Sequence, residues 1–120
     1  MPRSISLGPG ARSPRAQSRD SAPVFAALGD KTRLRLISRL CDDGPMSITQ
    51  LTSGTKVTRQ AITKHLRVMQ AARLVRSKRH GRESIWQLEQ QRLAEARHYL
   101  DLISKQWDEA LGRLQRFVEE

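Results

Sequence analysis

The chain has 120 residues, enough for one domain, with 22 Lys and Arg against 12 Asp and Glu and a formal net charge of +10. A small chain this basic points to a polyanionic partner, nucleic acid first, the plain alternative being a basic solvated surface. One cysteine excludes an internal disulfide and fits a reducing cytoplasm. No apolar run approaches the roughly 20 residues of a membrane span, and the Arg-bearing start has no apolar stretch of the secretory kind.

Residues 1–20, MPRSISLGPGARSPRAQSRD, are rich in Ser, Pro, Gly and Arg and bury too little apolar surface to offset their ordering entropy. They are expected to form a disordered basic arm. Its prolines (Pro2, Pro9, Pro14) and lack of amphipathic period argue against an organellar transit peptide. Residues 21–120 are expected to form the folded domain. From Ser21, with Pro23 near the first turn, a short helix runs to Gly29. Asp30 caps a second helix, KTRLRLISRLC, whose apolar stripe is read as Leu34, Ile37, Leu40 and Cys41. Cys41 on that stripe reads as a buried small hydrophobe, the sharper alternative being a reactive thiol. Asp42-Asp43-Gly44-Pro45 ends the helix.

Ser47 with Gln50 three residues on is a capping-box pair that opens a third helix, with Ile48 and Leu51 inward and Gly54 closing it. Thr58 caps a fourth helix. Ala61, Ile62, Leu66 and Met69 form its buried stripe, leaving Arg59, Gln60, Thr63 and Lys64 on the outer face. Two short β-type runs follow, Leu74–Lys78 and Ser84–Leu88, joined by Arg79-His80-Gly81-Arg82. Val75, Ile85 and Leu88 are expected inward and Trp86 partly exposed or under a neighbouring element. The last helix, about 90–119, carries Leu93, Ala96, Leu100, Ile103, Trp107, Ala110, Leu114 and Phe117 or Val118 at alternating steps of three and four, a coiled-coil-like seam. Few core residues remain to cover so long a stripe, so it is expected to pack on a second copy, part of it folding back on its own domain.

The order helix, turn, longer helix, β-hairpin describes a mainly α fold with a small β-wing, a winged helix-turn-helix, and the seam of the last helix adds a dimer. The charge agrees: residues 30–83 carry a net +9, whereas residues 84–120 carry −2. In the fourth helix, Arg59 can make paired hydrogen bonds to guanine, Gln60 to adenine, Thr63 can meet a thymine methyl, and Lys64 can reach guanine or phosphate. Thr58, Lys56, Arg79 and Arg82 complete the expected DNA-binding set, the two wing arginines on phosphate or in the minor groove. Thr49, Gln50, Thr52, Ser53 and Thr55 are further candidates for phosphates, as are Arg33 and Arg35 if their face is open. His65 is expected at a helix–helix boundary with one nitrogen satisfied, the alternative being a DNA contact. No Ser-His-Asp set, phosphate-cradling Gly loop or paired carboxylate suggests an enzyme.

The segments ALGDKTRLRLI, AITKHLRVM and LV…GRE…WQL together closely resemble the ArsR-type winged helix-turn-helix repressors, over roughly residues 22–118. The resemblance implies a cytoplasmic bacterial homodimer, paired through its first and last helices, that binds an inverted-repeat operator in double-stranded DNA, often in its own promoter. It places the DNA-contacting positions on Arg59, Gln60, Thr63 and Lys64. Members that sense metals use a Cys pair on the third helix or Asp and His ligands on the last. Here the third helix is SITQLTS, and the last has a single histidine, His98, beside Asp101, Asp108 and Glu109. No metal or cofactor is therefore expected, and the chain looks most like the autorepressors of the family without a metal site. Two other readings stay open: a ligand-, metal- or thiol-responsive sensor repressor, and a nonspecific architectural DNA binder.

Overall fold

The computed structural model describes residues 14–119, with side chains from Asp20 to Glu119. The elements are α1 (Pro14–Leu28), α2 (Lys31–Asp43), β1 (Met46–Ser47), α3 (Ile48–Thr52), α4 (Arg59–Ala71), β2 (Val75–His80), β3 (Glu83–Leu88) and α5 (Gln90–Glu119). They fall into two compact units, residues 22–93, and residues 94–119 with the first part of α1.

In the unit of residues 22–93, polar side chains set the helix starts. Asp30 accepts the Arg33 amide at 3.0 Å to open α2. The expected capping box opens α3: Ser47 Oγ accepts the Gln50 amide at 3.2 Å, and Gln50 Oε1 accepts the Ser47 amide at 2.9 Å. Thr58 Oγ1 accepts the Ala61 amide at 3.1 Å to open α4. Each such cap is worth about 1 kcal/mol at an ordinary helix start.

α4 ends differently. The Arg73 amide donates to Gln70 O and the Leu74 amide to Met69 O, both at 2.9 Å, with Arg73 at φ 62°. This is the paired-bond helix terminus that normally places glycine in the left-handed position; here an arginine occupies it. The chain then enters β2 after a turn of only three residues, Ala72 to Leu74.

The core of this unit lies where α2, α3 and α4 meet the sheet. Leu51, Ile62, Leu66, Met69, Leu74 and Val75 are fully buried, joined by Leu36, Leu40, Met46 and Trp86. Val24 and Ala27 bring the end of α1 into it. Burying each large aliphatic side chain contributes about 1.5–3 kcal/mol. The α4 stripe is as expected, with Ile62, Leu66 and Met69 sealed and Ala61 half-buried.

The α2 stripe is rotated from the one expected. Leu36 and Leu40 point inward, Ile37 is half-buried, Leu34 is 49% exposed, and Cys41 is exposed rather than a buried hydrophobe. The residues LRLISRLC permit two stripes at helical spacing, and packing against α4 and β3 buries the one that carries Leu36 and Leu40.

The sheet is antiparallel in the order β1-β3-β2. Its first strand, only two residues long, escaped the sequence reading; Met46 pairs with Trp86 and Ser47 with Ile85. Val75 lies opposite Leu88 and Ser77 opposite Trp86, so Met46, Val75, Trp86 and Leu88 share one face. Trp86 is therefore a core residue, 6% exposed, the covered one of its two expected placements, whereas Ile85, expected inward, turns to the other face and is half-exposed. β2 and β3 extend to His80 and Glu83, so the turn is only Gly81-Arg82.

Helix α1 begins at Pro14, seven residues before the expected start at Ser21, and Pro23 lies inside it. Proline at the first helical position sets φ and gives up an amide that would be unpaired anyway, which favours this start. Of the expected arm, residues 1–13 lie outside the described residues.

α5 spans 30 residues, with the expected limits. In the unit of residues 94–119, Ala96 is buried and Ile103 half-buried, whereas Leu100, Trp107, Ala110 and Leu114 are exposed, Trp107 to 62%. Leu111, Phe117 and Val118 are also exposed, so the apolar stripe is broader toward the C-terminus than a two-residue seam. Among the described residues no helix is long and apolar enough to cross a membrane.

Candidate nucleic-acid interface

Three buried side chains fix the rotation of α4. With Ile62, Leu66 and Met69 sealed inward, its other face has to be solvent-facing. Arg59, Gln60 and Lys64 are exposed there, Thr63 is half-buried, and Lys56 and Thr58 are exposed just before the helix. All six expected residues of this segment thus gather at one helix start, where unpaired amides and the helix dipole favour an anion.

The hydrogen bonds sort these side chains. Arg59 Nη1 donates to Thr49 Oγ1 at 3.0 Å, so the guanidinium is steered by α3. Thr63 Oγ1 donates to Arg59 O at 2.9 Å within its own helix, which turns the residue toward apolar contact through its methyl group. Thr58 accepts as the cap. Thr52 Oγ1 donates to Ile48 O and Thr49 O, both at 3.0 Å, and Thr55 Oγ1 accepts the Val57 amide at 3.1 Å. Thr52 and Thr55 are therefore mainly builders of the turn. Gly54, at φ 76°, supplies the one left-handed step between α3 and α4.

Arg33 is not an open phosphate donor. Its Nε donates to Ala27 O at the end of α1, and its Nη1 lies 3.3 Å from His65 Nδ1. His65 Nδ1 is also 3.8 Å from Asp30 Oδ2. Asp30, Arg33 and His65 thus join α1, α2 and α4, and His65 takes the helix-boundary role. The Arg33 amide at the cap, with smaller help from the Arg33 and His65 charges, holds the Asp30 carboxyl below its ordinary range. Arg35, by contrast, is exposed.

Two supporting arginines were not singled out from sequence. Arg39 Nη1 donates to Leu51 O at 3.1 Å and Ser53 O at 3.4 Å, satisfying carbonyls at the end of α3. Arg92, buried, donates from Nε to Ala72 O at 3.1 Å and places its charge at the C-terminal end of α4, where it suits the dipole. Their partners lie 12 to 20 residues away. No local spacing signals such bonds.

The wing is a tight hairpin. Gly81 has φ 66° at the first position of its two-residue turn, the place where glycine matches the strand twist. Arg79 and Arg82 are exposed at its tip; Arg79 Nε reaches Gly81 O at 3.4 Å. At the base, Arg76 Nε pairs with Glu89 Oε1 at 3.1 Å. Among the described residues no three His, Cys, Asp or Glu side chains come together as a metal set.

A helix-turn-helix domain model matches residues 28–78, the stretch from the end of α1 into β2. Fold and match together define a transcriptional regulator built on a winged helix-turn-helix DNA-binding domain. The chain is 36% identical over 96 residues to the HTH-type transcriptional regulator Rv2034 of Mycobacterium tuberculosis, covering 80% of this chain and 86% of that protein. It is 35% identical over 72 residues to a transcriptional repressor SmtB homolog of Synechocystis, covering 60% and 54%. Among solved structures, an ArsR-like transcriptional regulator from Rhodococcus sp. RHA1 superposes with a TM-score of 0.74 at 33% identity, over 85% of this chain and 95% of that one. The chain belongs to the ArsR-type family of winged helix-turn-helix regulators, as its sequence resemblance implied.

Proposed function

We propose that the chain is a sequence-specific repressor that binds an inverted-repeat operator in double-stranded DNA as a homodimer, and that it regulates its own promoter from the cytoplasm without enzymatic activity. The observation that carries this reading is the fixed rotation of α4. Its buried stripe leaves Arg59, Gln60 and Lys64 no orientation but outward. Arg59 and Gln60 carry the two side-chain types that pair bidentately with guanine and adenine. Arg79 and Arg82 on the wing hold the phosphate backbone or enter the minor groove, fixing register.

The homodimer is supported by the exposed stripe of α5. Trp107, Leu114 and their neighbours form an apolar run that a lone chain would leave in water. A two-fold pair would set two recognition helices on half-sites about 34 Å apart, one turn of duplex. A dimer seated across a promoter represses by occupying it, and the repressor named among the relatives has the same sense of regulation.

The test is the binding of purified protein to its upstream DNA and to a scrambled duplex of equal length, at about 150 mM salt to suppress the nonspecific phosphate contribution. Strong preference for the upstream duplex supports the reading; equal, salt-sensitive binding to both, and to a duplex selected from a random pool, rejects it. The exposed thiol of Cys41 favours one second reading, a thiol-responsive repressor. A C41S variant whose binding no longer responds to mild oxidant, where the wild type does, would establish it.

A further inference from the structure

α2 carries a second, unexplained face. Lys31, Leu34, Arg35 and Ser38 follow one another at helical spacing on its outer side and form one wall of a groove of about 700 Å³. Leu51, Val57 and Ile62, from α3, the turn and α4, form the facing wall. The volume is that of a small-molecule site. Leu34 stands half-exposed in this groove, although a core position for Leu36 lies two residues away. Burying a leucine is worth about 1.5–3 kcal/mol, so its exposure leaves an apolar surface ready to be covered.

The rim is cationic. Lys31, Arg35 and Arg39 all line the groove, and no Asp or Glu does. Neither Lys31 nor Arg35 has an acidic partner among the described residues. Asp30, the carboxylate next in sequence, is engaged instead by the Arg33 amide and His65. Arg39 is held at the end of α3 by the carbonyls of Leu51 and Ser53. An apolar trough with cations alone at its edge is complementary to a molecule with an apolar tail and one anionic head.

We propose that this groove binds an acyl chain ending in a carboxylate, and that its occupancy weakens the grip on DNA. The tail would lie on Leu34 and Val57, above the buried Leu51, with the carboxylate between Arg35 and its neighbouring cations. Val57 immediately precedes the cap Thr58 and stands two residues before Arg59. A ligand against Val57 and Leu51 therefore bears on the α3–α4 junction that aims the recognition helix. The second half of the proposal rests on the DNA-binding reading above; the first half does not.

The two halves are tested separately. In the first, the DNA-free full chain is titrated by NMR with octanoate, 1-octanol and acetate. Octanoate is expected to give saturable shifts centred on Leu34, Leu51 and Val57, with 1-octanol about tenfold weaker and acetate silent at the same concentrations. R35Q should weaken octanoate several-fold and leave 1-octanol unchanged. L34E, a change at an exposed site that sets a carboxylate in the trough, should abolish octanoate binding while the spectrum stays folded. Shifts centred elsewhere, equal affinity for octanoate and 1-octanol, or undiminished binding by L34E would overturn the site. So would groove shifts on adding DNA with none on adding octanoate, which would make the rim a phosphate contact.

In the second, saturating octanoate should lower the affinity of the wild type for its selected duplex and leave that of L34E unchanged. A filled groove with unaltered DNA affinity overturns the regulatory half. A protein that prefers no duplex overturns the DNA-binding reading, while the octanoate titration still decides the site.

Discussion

Arg59 offers the sharpest test of how the recognition face works, because the structure gives its guanidinium a specific support. Thr49 Oγ1 accepts from its Nη1 at 3.0 Å, an exposed bond between α3 and α4. If Arg59 reads a guanine from that position, R59A should cost about 1–3 kcal/mol of specific binding, about 5–150-fold in Kd. The nonspecific affinity and the dependence on salt should hardly change, since a base contact releases no phosphate counterion. T49A should cost less, about 0.5–1.5 kcal/mol, the net worth of one exposed hydrogen bond that orients the arginine. In an R59A background T49A should be silent, because its whole effect passes through Arg59. The assay is fluorescence anisotropy with a duplex selected by the wild type, a scrambled control, and a series of salt concentrations. Equal losses on both duplexes with a shallower salt slope would show Arg59 on a phosphate and not on a base. A loss from T49A that persists without Arg59 would place Thr49 itself on the DNA.

Three further outcomes are expected. W107E puts a charge in the exposed α5 stripe and should yield monomers in sedimentation velocity with weaker DNA binding; an unchanged dimer would reject that interface. R73G removes the left-handed arginine that ends α4, a strain of about 1–2 kcal/mol, against about 0.5–1 kcal/mol of added chain entropy, so thermal unfolding should rise modestly, and a fall would show that the arginine makes a larger contribution of its own. Because the Asp30 carboxyl titrates below its unfolded value, its charge stabilises the fold above the ordinary carboxylate range, and that contribution is lost as pH falls through the lowered value. D30N, which keeps a capping oxygen, should therefore unfold at a lower temperature than wild type near neutrality and converge with it in acid; a constant gap would remove the charge from the account.

What the sequence made legible were features written in local spacing. The capping box of Ser47 and Gln50, the cap at Thr58 and the apolar stripe of α4 are such features, and α4 is the element that sets the candidate site. The α2 stripe is ambiguous in sequence because Leu34, Leu36, Ile37, Leu40 and Cys41 satisfy two helical faces, and only packing against α4 and β3 selects between them. Ile85 and Trp86 posed the same problem in a strand, where a shift of one residue exchanges the faces. The deciding partner, Met46, sits in a strand of two residues, too short for any alternation to be read. Arg39 and Arg92 were invisible for a different reason: each bonds to a backbone carbonyl that the fold, not the neighbouring residues, brings near.

The junction after α4 has a consequence for the DNA. The helix passes into β2 through a turn of three residues, its end fastened by the Leu74 amide on Met69 O, and Leu74 O in turn accepts the Glu89 amide at 2.8 Å. With a two-residue turn at the far end of the hairpin, helix and wing behave as a caliper of set width. In the proposed complex, a duplex gripped at both points would have to supply the fit by narrowing or bending between them, and the energy of doing so varies with the base steps involved. Preference should thus extend to base pairs that no side chain touches, beneath the wing, where stiff and pliant steps would be told apart by how readily they close on the caliper.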